Sequence, residues 1–281
     1  MLMPLLRLLR VGTLFSPAAD VLASAAIVGL PWSMDVGRAV GASVCLYAAG
    51  MVWNDIADRG EDAVQRPERP LVRGDLPLWL AVALGLCLLG GGLALSPCRS
   101  HHGLIAALVL LYDFGGKRIA WCGALLMGTL RGLNLWTAAT LGPATQGASA
   151  LATAAACYGI YIVAVTILGI FEDVPNVRAR AVAAVQTAPP LAAMAGLLTV
   201  QGGLWPAPAL AALPVLWFLR RNSRQRSFDR AAIRRSMTFL LLGTMLYTSL
   251  LALAAGQPVT SAAIASVILP ARWISRRIAL T

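Results

Sequence analysis

The chain has 281 residues, of which 58% are hydrophobic and only 12% are charged. Soluble domains carry about 25% charged residues, so this composition excludes an ordinary water-soluble protein and predicts an all-α polytopic membrane protein. The net charge of +11 comes almost entirely from arginines in short segments between apolar runs. This placement is typical of topology signals and of contacts with membrane lipids, and we expect no nucleic-acid partner.

Nine apolar runs follow one another without a long linker, and we interpret them as the transmembrane helices of a single domain covering residues 1–281. The segment before the first run predicts an amphipathic helix at the membrane surface. Two connections, 55–76 and 171–182, carry the polar motifs considered below. The nine runs are 15–32, 40–53, 77–95, 103–112, 119–141, 150–170, 181–200, 204–219 and 237–255.

Basic residues are concentrated in alternate connections. The N-terminal segment and the connections after the second, fourth, sixth and eighth runs each carry two or more basic residues, whereas the others carry at most one. The positive-inside rule therefore predicts that the N-terminus and the polar motifs are cytoplasmic, in what we expect to be a bacterial inner membrane. The segment 259–281 does not fit, because it carries three arginines after nine crossings. Either 259–269 is re-entrant or part of a tenth crossing, or the tail lies flat on the outer surface.

A polar segment from Trp53 to Asp75 interrupts the apolar sequence. Asn54, Asp58 and Asp62 are spaced by four and would lie along one face of a helix, with Asp55 beside it. A basic, proline-containing stretch follows. Carboxylates in this pattern can share Mg²⁺, which also binds phosphate oxygens, so the segment predicts a metal site for a diphosphate at the membrane surface. The alternative is a solvated helix end whose acids form salt bridges with neighbouring arginines.

The same segment resembles the UbiA superfamily of intramembrane prenyltransferases. The resemblance rests on N-D-x-x-D-x-x-x-D from Asn54 to Asp62, R-P-x-R-P-L from Arg66 to Leu71, and Gly74. It implies a bundle of nine transmembrane helices around a central cavity that is open to lipid. It also implies that two acidic motifs hold an isoprenyl diphosphate through Mg²⁺ and that a lipophilic or aromatic acceptor is prenylated.

Two further clusters fit this resemblance. Tyr112 is followed by Lys117 and Arg118, and Lys117 is the only lysine in the chain. A cation here would stabilise the diphosphate as a leaving group, although positive-inside anchoring is the alternative. In the fifth run, Arg131 and Asn134 are three residues apart within a G-x-x-R-x-x-N pattern. This pattern resembles the one found in quinone-type members of the superfamily and in UbiA-like proteins of the EboC kind. We expect both side chains to line the cavity.

The second acidic motif departs from the family pattern. The segment 171–179 reads F-E-D-V-P-N-V-R-A, and Val177 stands where the second acid is expected. Glu172 or Asn176 offers a substitute oxygen. The EboC-like branch shares this kind of departure, which weakens the prediction of a second metal.

The leading hypothesis is therefore an enzyme, a Mg²⁺-dependent prenyltransferase. Asn54, Asp58 and Asp62 would hold one Mg²⁺, and Asp173 with Glu172 would hold a second. Asp58, Asp62, Lys117 and Asp173 would be the catalytic residues. The residues expected to receive the diphosphate are Arg66, Lys117, Arg118 and Arg131, while Tyr112 and Asn134 would line the cavity. The alternative is a non-catalytic UbiA-like protein that binds, presents or moves a lipophilic intermediate in a multi-component pathway.

Overall fold

The computed structural model describes residues 2–142, 147–173, 178–200, 206–225 and 228–278. Within these ranges the chain is helical and forms no strand, which confirms the predicted all-α class. The helices are α1 (Leu2–Leu8), α2 (Phe15–Ile27), α3 (Met34–Ala57), α4 (Arg59–Gln65), α5 (Pro70–Arg73), α6 (Leu78–Leu95), α7 (Arg99–Phe114), α8 (Ala120–Trp136), α9 (Ala148–Asp173), α10 (Ala179–Thr199), α11 (Pro206–Arg224), α12 (Arg230–Ala254), α13 (Pro258–Ser266) and α14 (Ile268–Ile278).

In the described part of the chain, each of the nine predicted runs overlaps one long helix, in order from α2 to α12 with the short α4 and α5 left out. Five of these helices, α3, α6, α9, α10 and α12, are long and apolar enough to cross a membrane. The other four are shorter or, in α11, end in arginines. The 13-residue α2 packs against α3, α8 and α12, and nine of its residues are buried, so it is an interior helix.

Successive long helices run in opposite directions, as contacts between their ends demonstrate. Arg38 near the start of α3 donates a hydrogen bond to the Leu95 carbonyl at the end of α6 (3.1 Å). At the opposite end of the bundle, Arg10 before α2 binds Asp55 near the end of α3 (3.0 Å). We call the end that holds Asp55 the site end and the other the far end. The connections after α3, α7, α9 and α11 all belong to the site end.

Three helices begin four or more residues earlier than their hydrophobic runs predict. The helix α12 starts at Arg230, seven residues before its run, and Asp229 caps it by accepting a hydrogen bond from the Ala232 N–H. The helix α3 starts at Met34 because Ser33 caps it, accepting a hydrogen bond from the Val36 N–H, and Asp35 lies in its first turn. The helix α7 includes His102, which is fully buried. The connection 55–76 is itself partly helical, since it contains α4 and α5.

The C-terminal segment returns to the site end. The helix α13 packs against α12 and α2, and α14 packs against the 3₁₀ turn Val11–Thr13 that precedes α2. The contact is close, because a Cβ added to Gly12 would lie 2.1 Å from Ser275 Oγ. This path agrees with the alternative in which 259–269 is re-entrant or part of a tenth crossing, and not with a tail lying flat at the far end. It brings Arg272 and Arg277 to the same end as the other basic segments.

Glycines allow α8 and α9 to approach at backbone distance. A Cβ on Gly128 would lie 2.6 Å from the Gly159 carbonyl oxygen and 2.4 Å from a methyl group of Val163. One turn further along α8, a Cβ on Gly132 would meet the Ala155 carbonyl oxygen at 3.0 Å. Small residues permit such packing between membrane helices, and here they fix the position of Arg131, which lies between the two glycines on α8.

Candidate active site

Lys117 is at the centre of a polar cluster at the site end. Its ammonium group lies 2.6 Å from Asp58 Oδ1 and donates a hydrogen bond to Asn54 Oδ1 (3.1 Å). Asn54 in turn donates to Asp58 Oδ2 (3.1 Å), so these two residues share a face as their spacing predicts. Asp113, buried one helical turn before Lys117, lies 3.9 Å from the ammonium group. The turn Gly116–Arg118 after α7 thus carries the only lysine to the acidic end of α3.

The other two acids of the first motif form a separate network of ion pairs. Asp55 is buried and contacts both Arg10 and Arg69. Arg69 also lies 3.8 Å from Asp62, and Arg66 lies 3.7 Å from Asp62. The helix is interrupted at Asp58, between α3 and α4, so Asp62 does not continue the face formed by Asn54 and Asp58. The acids of the motif therefore divide between two sites: Asp58 pairs with Lys117, whereas Asp55 and Asp62 pair with arginines.

Burial raises the pKa of the Asp62 carboxyl above its ordinary value of 3.8, and the neighbouring Arg69 and Arg66 oppose that rise. Repulsion from Asp55 and Asp58 raises the pKa of Asp62 further. A carboxylate in this position is costly to ionise without a cation beside it. Arg66 and Arg69 of the R-P-x-R-P-L stretch are the cations beside Asp62 in this structure.

A cavity extends from the polar cluster into the bundle between α2, α3, α7 and α8. It encloses about 750 Å³ of space, partly open to the surroundings. Its lining is mainly apolar and includes Leu46, Ile105, Val109 and Leu130. Asn54, Tyr112 and Asp113 lie at its mouth, and Ser43, Arg131 and Asn134 lie at its depth. An apolar passage between two polar ends suits a molecule with a charged head and a hydrocarbon body.

A hydrogen-bond network forms the polar floor of this cavity. Arg131 forms an ion pair with Asp20 of α2 (3.1 Å) and donates hydrogen bonds to Ser16 (2.5 Å) and Tyr158. Asn134 donates to Asp20 (2.8 Å) and accepts from Ser43 (2.5 Å). Arg131 Nη1 is buried and has no hydrogen-bond partner among the described residues. Because Asp20 compensates the charge of Arg131, the floor is polar but close to neutral.

The structure brings some predicted site residues together and leaves others apart. Asn54 and Tyr112 line the mouth of the cavity, and Arg131 and Asn134 line its depth. Asp58 and Lys117 bind Asn54 beside the mouth, outside the lining. Arg118 is exposed, and neither Arg118 nor Arg66 lines this cavity.

The predicted second acidic motif is only partly described. Glu172 is bound by Arg234, whose Nη2 lies 2.5 Å from Glu172 Oε1. The Asp173 side chain, Asn176 and Val177 lie outside the described residues. As far as the structure describes it, this motif contributes one carboxylate, and that carboxylate is already paired with an arginine.

The oxygen atoms at the mouth fit a magnesium ion by their chemistry. Asn54 and Asp58 provide an amide and a carboxylate, and Asp113 Oδ2 is buried without a hydrogen-bond partner among the described residues. Oxygen ligands of this kind are the ones Mg²⁺ prefers. Within the described residues, however, no three acidic, histidine or cysteine side chains converge on one point. Lys117 and the arginines now neutralise the carboxylates that a metal would otherwise bind.

Sequence reasoning missed Asp113, Ser43, Asp20 and Arg10 as residues of the site. Asp20 is the partner of Arg131, and its signal was available: it is the single charged residue of the first apolar run. Arg10 reaches Asp55 from a left-handed backbone conformation (φ 47°), which is rare for a residue other than glycine. Its position in an arginine- and leucine-rich lead segment suggested only a membrane-surface helix.

Residues 14–280 match the model of the UbiA prenyltransferase family. This chain belongs to the UbiA prenyltransferase family. Prenyl transfer is accordingly its general chemistry, and members of the family generally use Mg²⁺. The predicted family, fold class and membrane character are thereby confirmed, whereas the EboC-like branch stays a prediction.

Comparison with solved structures gives a match to a digeranylgeranylglyceryl phosphate synthase in membranes, with a TM-score of 0.66 and 18% sequence identity. The match covers 90% of this chain and 98% of that one, so the two share a fold over nearly their whole lengths. Comparison with curated proteins found no significant match.

Proposed function

We propose that the protein transfers a prenyl group from an isoprenyl diphosphate to a lipophilic or aromatic acceptor within the membrane, in a Mg²⁺-dependent reaction. The observation that carries this proposal is the cavity itself. Its mouth carries the oxygen atoms of Asn54 and Asp113 with Lys117 bound beside them, its wall is apolar, and its floor is polar and charge-compensated. We take residues 1–281 as one functional unit, with the site end facing the cytoplasm of a bacterial inner membrane.

The diphosphate would bind at the mouth. Lys117 would donate to the diphosphate oxygens once its ammonium group leaves Asp58 and Asn54. The guanidinium group of Arg10, which lines the cavity, would be a second donor. Asn54, Asp58 and Asp113 would hold Mg²⁺, which would neutralise negative charge on the departing diphosphate. In this arrangement Asp58 and Lys117 keep the catalytic roles that the sequence predicts. Asp62, held by Arg66 and Arg69, would position the basic stretch instead.

The acceptor would bind at the floor. Arg131 Nη1, which has no partner among the described residues, can donate a hydrogen bond to a hydroxyl, carbonyl or carboxylate oxygen. The N–H groups of Asn134 and the hydroxyl hydrogen of Ser43 are already used within the network, so the oxygen atoms of these two residues can accept a hydrogen bond from a hydroxyl. Because Asp20 already compensates the charge of Arg131, we favour a role for Arg131 in binding the prenyl acceptor over a role in binding the diphosphate. The bond between C1 of the prenyl chain and the diphosphate oxygen would break with its electrons on oxygen. With its polar group held at the floor, the acceptor would extend its reacting atom towards C1 near the mouth. That atom would bond to C1 and lose a proton to water there.

The experiment that tests this proposal measures pyrophosphate release by the purified protein in detergent. Isoprenyl diphosphates of several chain lengths would be supplied with candidate acceptors, with Mg²⁺ or with a chelator in its place. We expect release that requires both Mg²⁺ and an acceptor. Binding of the diphosphates without release, for all lengths and acceptors tested, would contradict the proposal.

That contrary outcome would favour the second candidate, a UbiA-like protein that binds or moves a lipophilic intermediate without turnover. One observation speaks for it: Glu172, the described carboxylate of the second acidic motif, is occupied by Arg234. The two candidates also differ in the effect of Asp58→Ala. The enzyme loses turnover in this variant, whereas a carrier keeps its affinity for the hydrocarbon chain.

A further inference from the structure

A second polar crevice lies at the site end, outside the central cavity. It is formed by α1 and the turn Val11–Thr13 on one side, by the start of α5 on another and by α14 on the third. It contains about 780 Å³ of space, part of which is open to the surroundings. Three guanidinium groups line it, those of Arg7, Arg10 and Arg69, together with the hydroxyl-bearing residues Thr13 and Ser275.

The crevice has an excess of positive charge. Its lining contains three arginines and two acids, Asp55 and Glu68. Asp55 is buried and already contacts both Arg10 and Arg69. Arg7 forms no ion pair among the described residues, and its Nε is buried without a hydrogen-bond partner there. A buried donor left unpartnered is costly, so this position favours an anion that accepts from it.

The surroundings of the crevice have the character of a membrane surface. Next to it, α1 exposes Leu2 and Met3, and α14 exposes Leu269 and Trp273. Arg277 lies over the Trp273 ring, 5.6 Å from its centroid. Short helices that expose apolar and aromatic side chains beside arginines are typical of the lipid–water interface, where lipid phosphates are abundant.

We propose that this crevice binds a phosphate group, with Arg7 as its principal ligand and Arg10, Thr13 and Ser275 as further donors. The group is the headgroup phosphate of an anionic lipid or a phosphate supplied from solution, since both present the same oxygens to the same guanidinium groups. The site shares Arg10 with the central cavity, but its principal ligand, Arg7, lines only the crevice, and the site does not depend on the proposed transferase activity.

The test is native mass spectrometry of the full chain in a neutral detergent. Phosphatidylglycerol, phosphatidylcholine and inorganic diphosphate would each be titrated separately. Three variants would be compared with the unaltered protein: Arg7→Gln, Glu68→Gln and, as a matched control, Arg235→Gln. Arg235 is exposed at the same end of the bundle and lines neither the crevice nor the cavity.

We expect Arg7→Gln to weaken phosphate binding about tenfold, the loss that follows from removing one charge-assisted hydrogen bond. Glu68→Gln should strengthen binding by about threefold, because it removes an exposed opposing charge. Arg235→Gln should leave binding unchanged. Since Glu68 is exposed, its variant remains informative even if Arg7→Gln fails to fold.

The two sources are distinguished by which titration responds. An effect of Arg7→Gln on phosphatidylglycerol alone assigns the site to lipid, and an effect on inorganic diphosphate alone assigns it to a soluble phosphate. Diphosphate bound in the central cavity would respond instead to Lys117→Met. If Arg7→Gln and Arg235→Gln bind all three molecules alike, or if Glu68→Gln has no effect on any of them, the inference is overturned.

Discussion

The ammonium group of Lys117 lies 2.6 Å from Asp58, where the turn after α7 meets the end of α3 beside the mouth of the cavity. The pair holds the two helix ends together in this structure. It also places the only lysine of the chain against a carboxylate of the first acidic motif. A diphosphate entering here would compete with Asp58 for the cation, and Mg²⁺ would compete with Lys117 for the carboxylate.

Lys117→Met should lower kcat/KM for isoprenyl diphosphate by about 10²–10³-fold, because the variant loses a preorganised cation at the leaving group. Arg118→Gln is the matched control. Arg118 is adjacent in sequence but exposed, and we expect an effect below about threefold from it. The measurement is steady-state pyrophosphate release. Equal losses in the two variants would show that general positive charge, rather than the position of Lys117, is what matters.

Asp58→Asn and Glu172→Gln should differ sharply. Asp58 contacts Lys117 and Asn54 at the cavity mouth, so its variant should lose most activity and require a higher Mg²⁺ concentration for half-maximal rate. Glu172 is bound by the largely exposed Arg234, and breaking such a pair should change the free energy of unfolding by at most about 1 kcal/mol and the activity little. A Mg²⁺ titration of both variants checks this. A larger shift for Glu172→Gln would reinstate it as a metal ligand.

Asp20→Asn should destabilise the protein by about 3–5 kcal/mol, because it leaves the buried Arg131 guanidinium without its compensating charge. The double variant Asp20→Asn/Arg131→Gln should recover part of that loss, since neither charge remains. Thermal unfolding in detergent of the two single variants and the double variant gives the coupling energy. Additive effects would mean that the ion pair does not stabilise the fold.

Gly128→Ala should destabilise the bundle by about 1–3 kcal/mol, because its methyl group would collide with the backbone of α9 at Gly159. The variant should also weaken acceptor binding by displacing Arg131, one turn along the same helix. Gly91→Ala in α6 is the control. Its methyl group would meet nothing within 4 Å, and alanine favours a helix over glycine by up to about 1 kcal/mol. Melting temperatures of the two variants should therefore move in opposite directions.

Much of the fold follows from hydrophobicity alone. Each apolar run corresponds to a long helix, and the alternation of basic segments agrees with the antiparallel order of the helices. The errors lie at polar helix ends. The runs that begin near Val40 and Gly103 omit the polar turns before them, because a hydropathy pattern does not register the cap by Ser33 or the burial of His102.

The candidate site was predictable only where local spacing determines contact. Asn54 and Asp58 are one turn apart, and their hydrogen bond follows from helical geometry. Asp62 has the same spacing, yet the break at Asp58 directs it to Arg66 and Arg69. The pairing of Asp20 with Arg131 spans 111 residues and depends on how α2 packs against α8, which no local pattern encodes.

Arg10 lines both the central cavity and the peripheral crevice, and its bond to Asp55 forms part of the wall between them. Any ligand that draws this guanidinium to one side must change what the other compartment offers. Thermodynamic linkage makes the effect reciprocal, so occupancy of the crevice and occupancy of the cavity would alter each other's binding constants by the same factor. Through the Arg10 side chain, an anion bound in the crevice at the membrane surface would thus change ligand binding in the interior of the bundle.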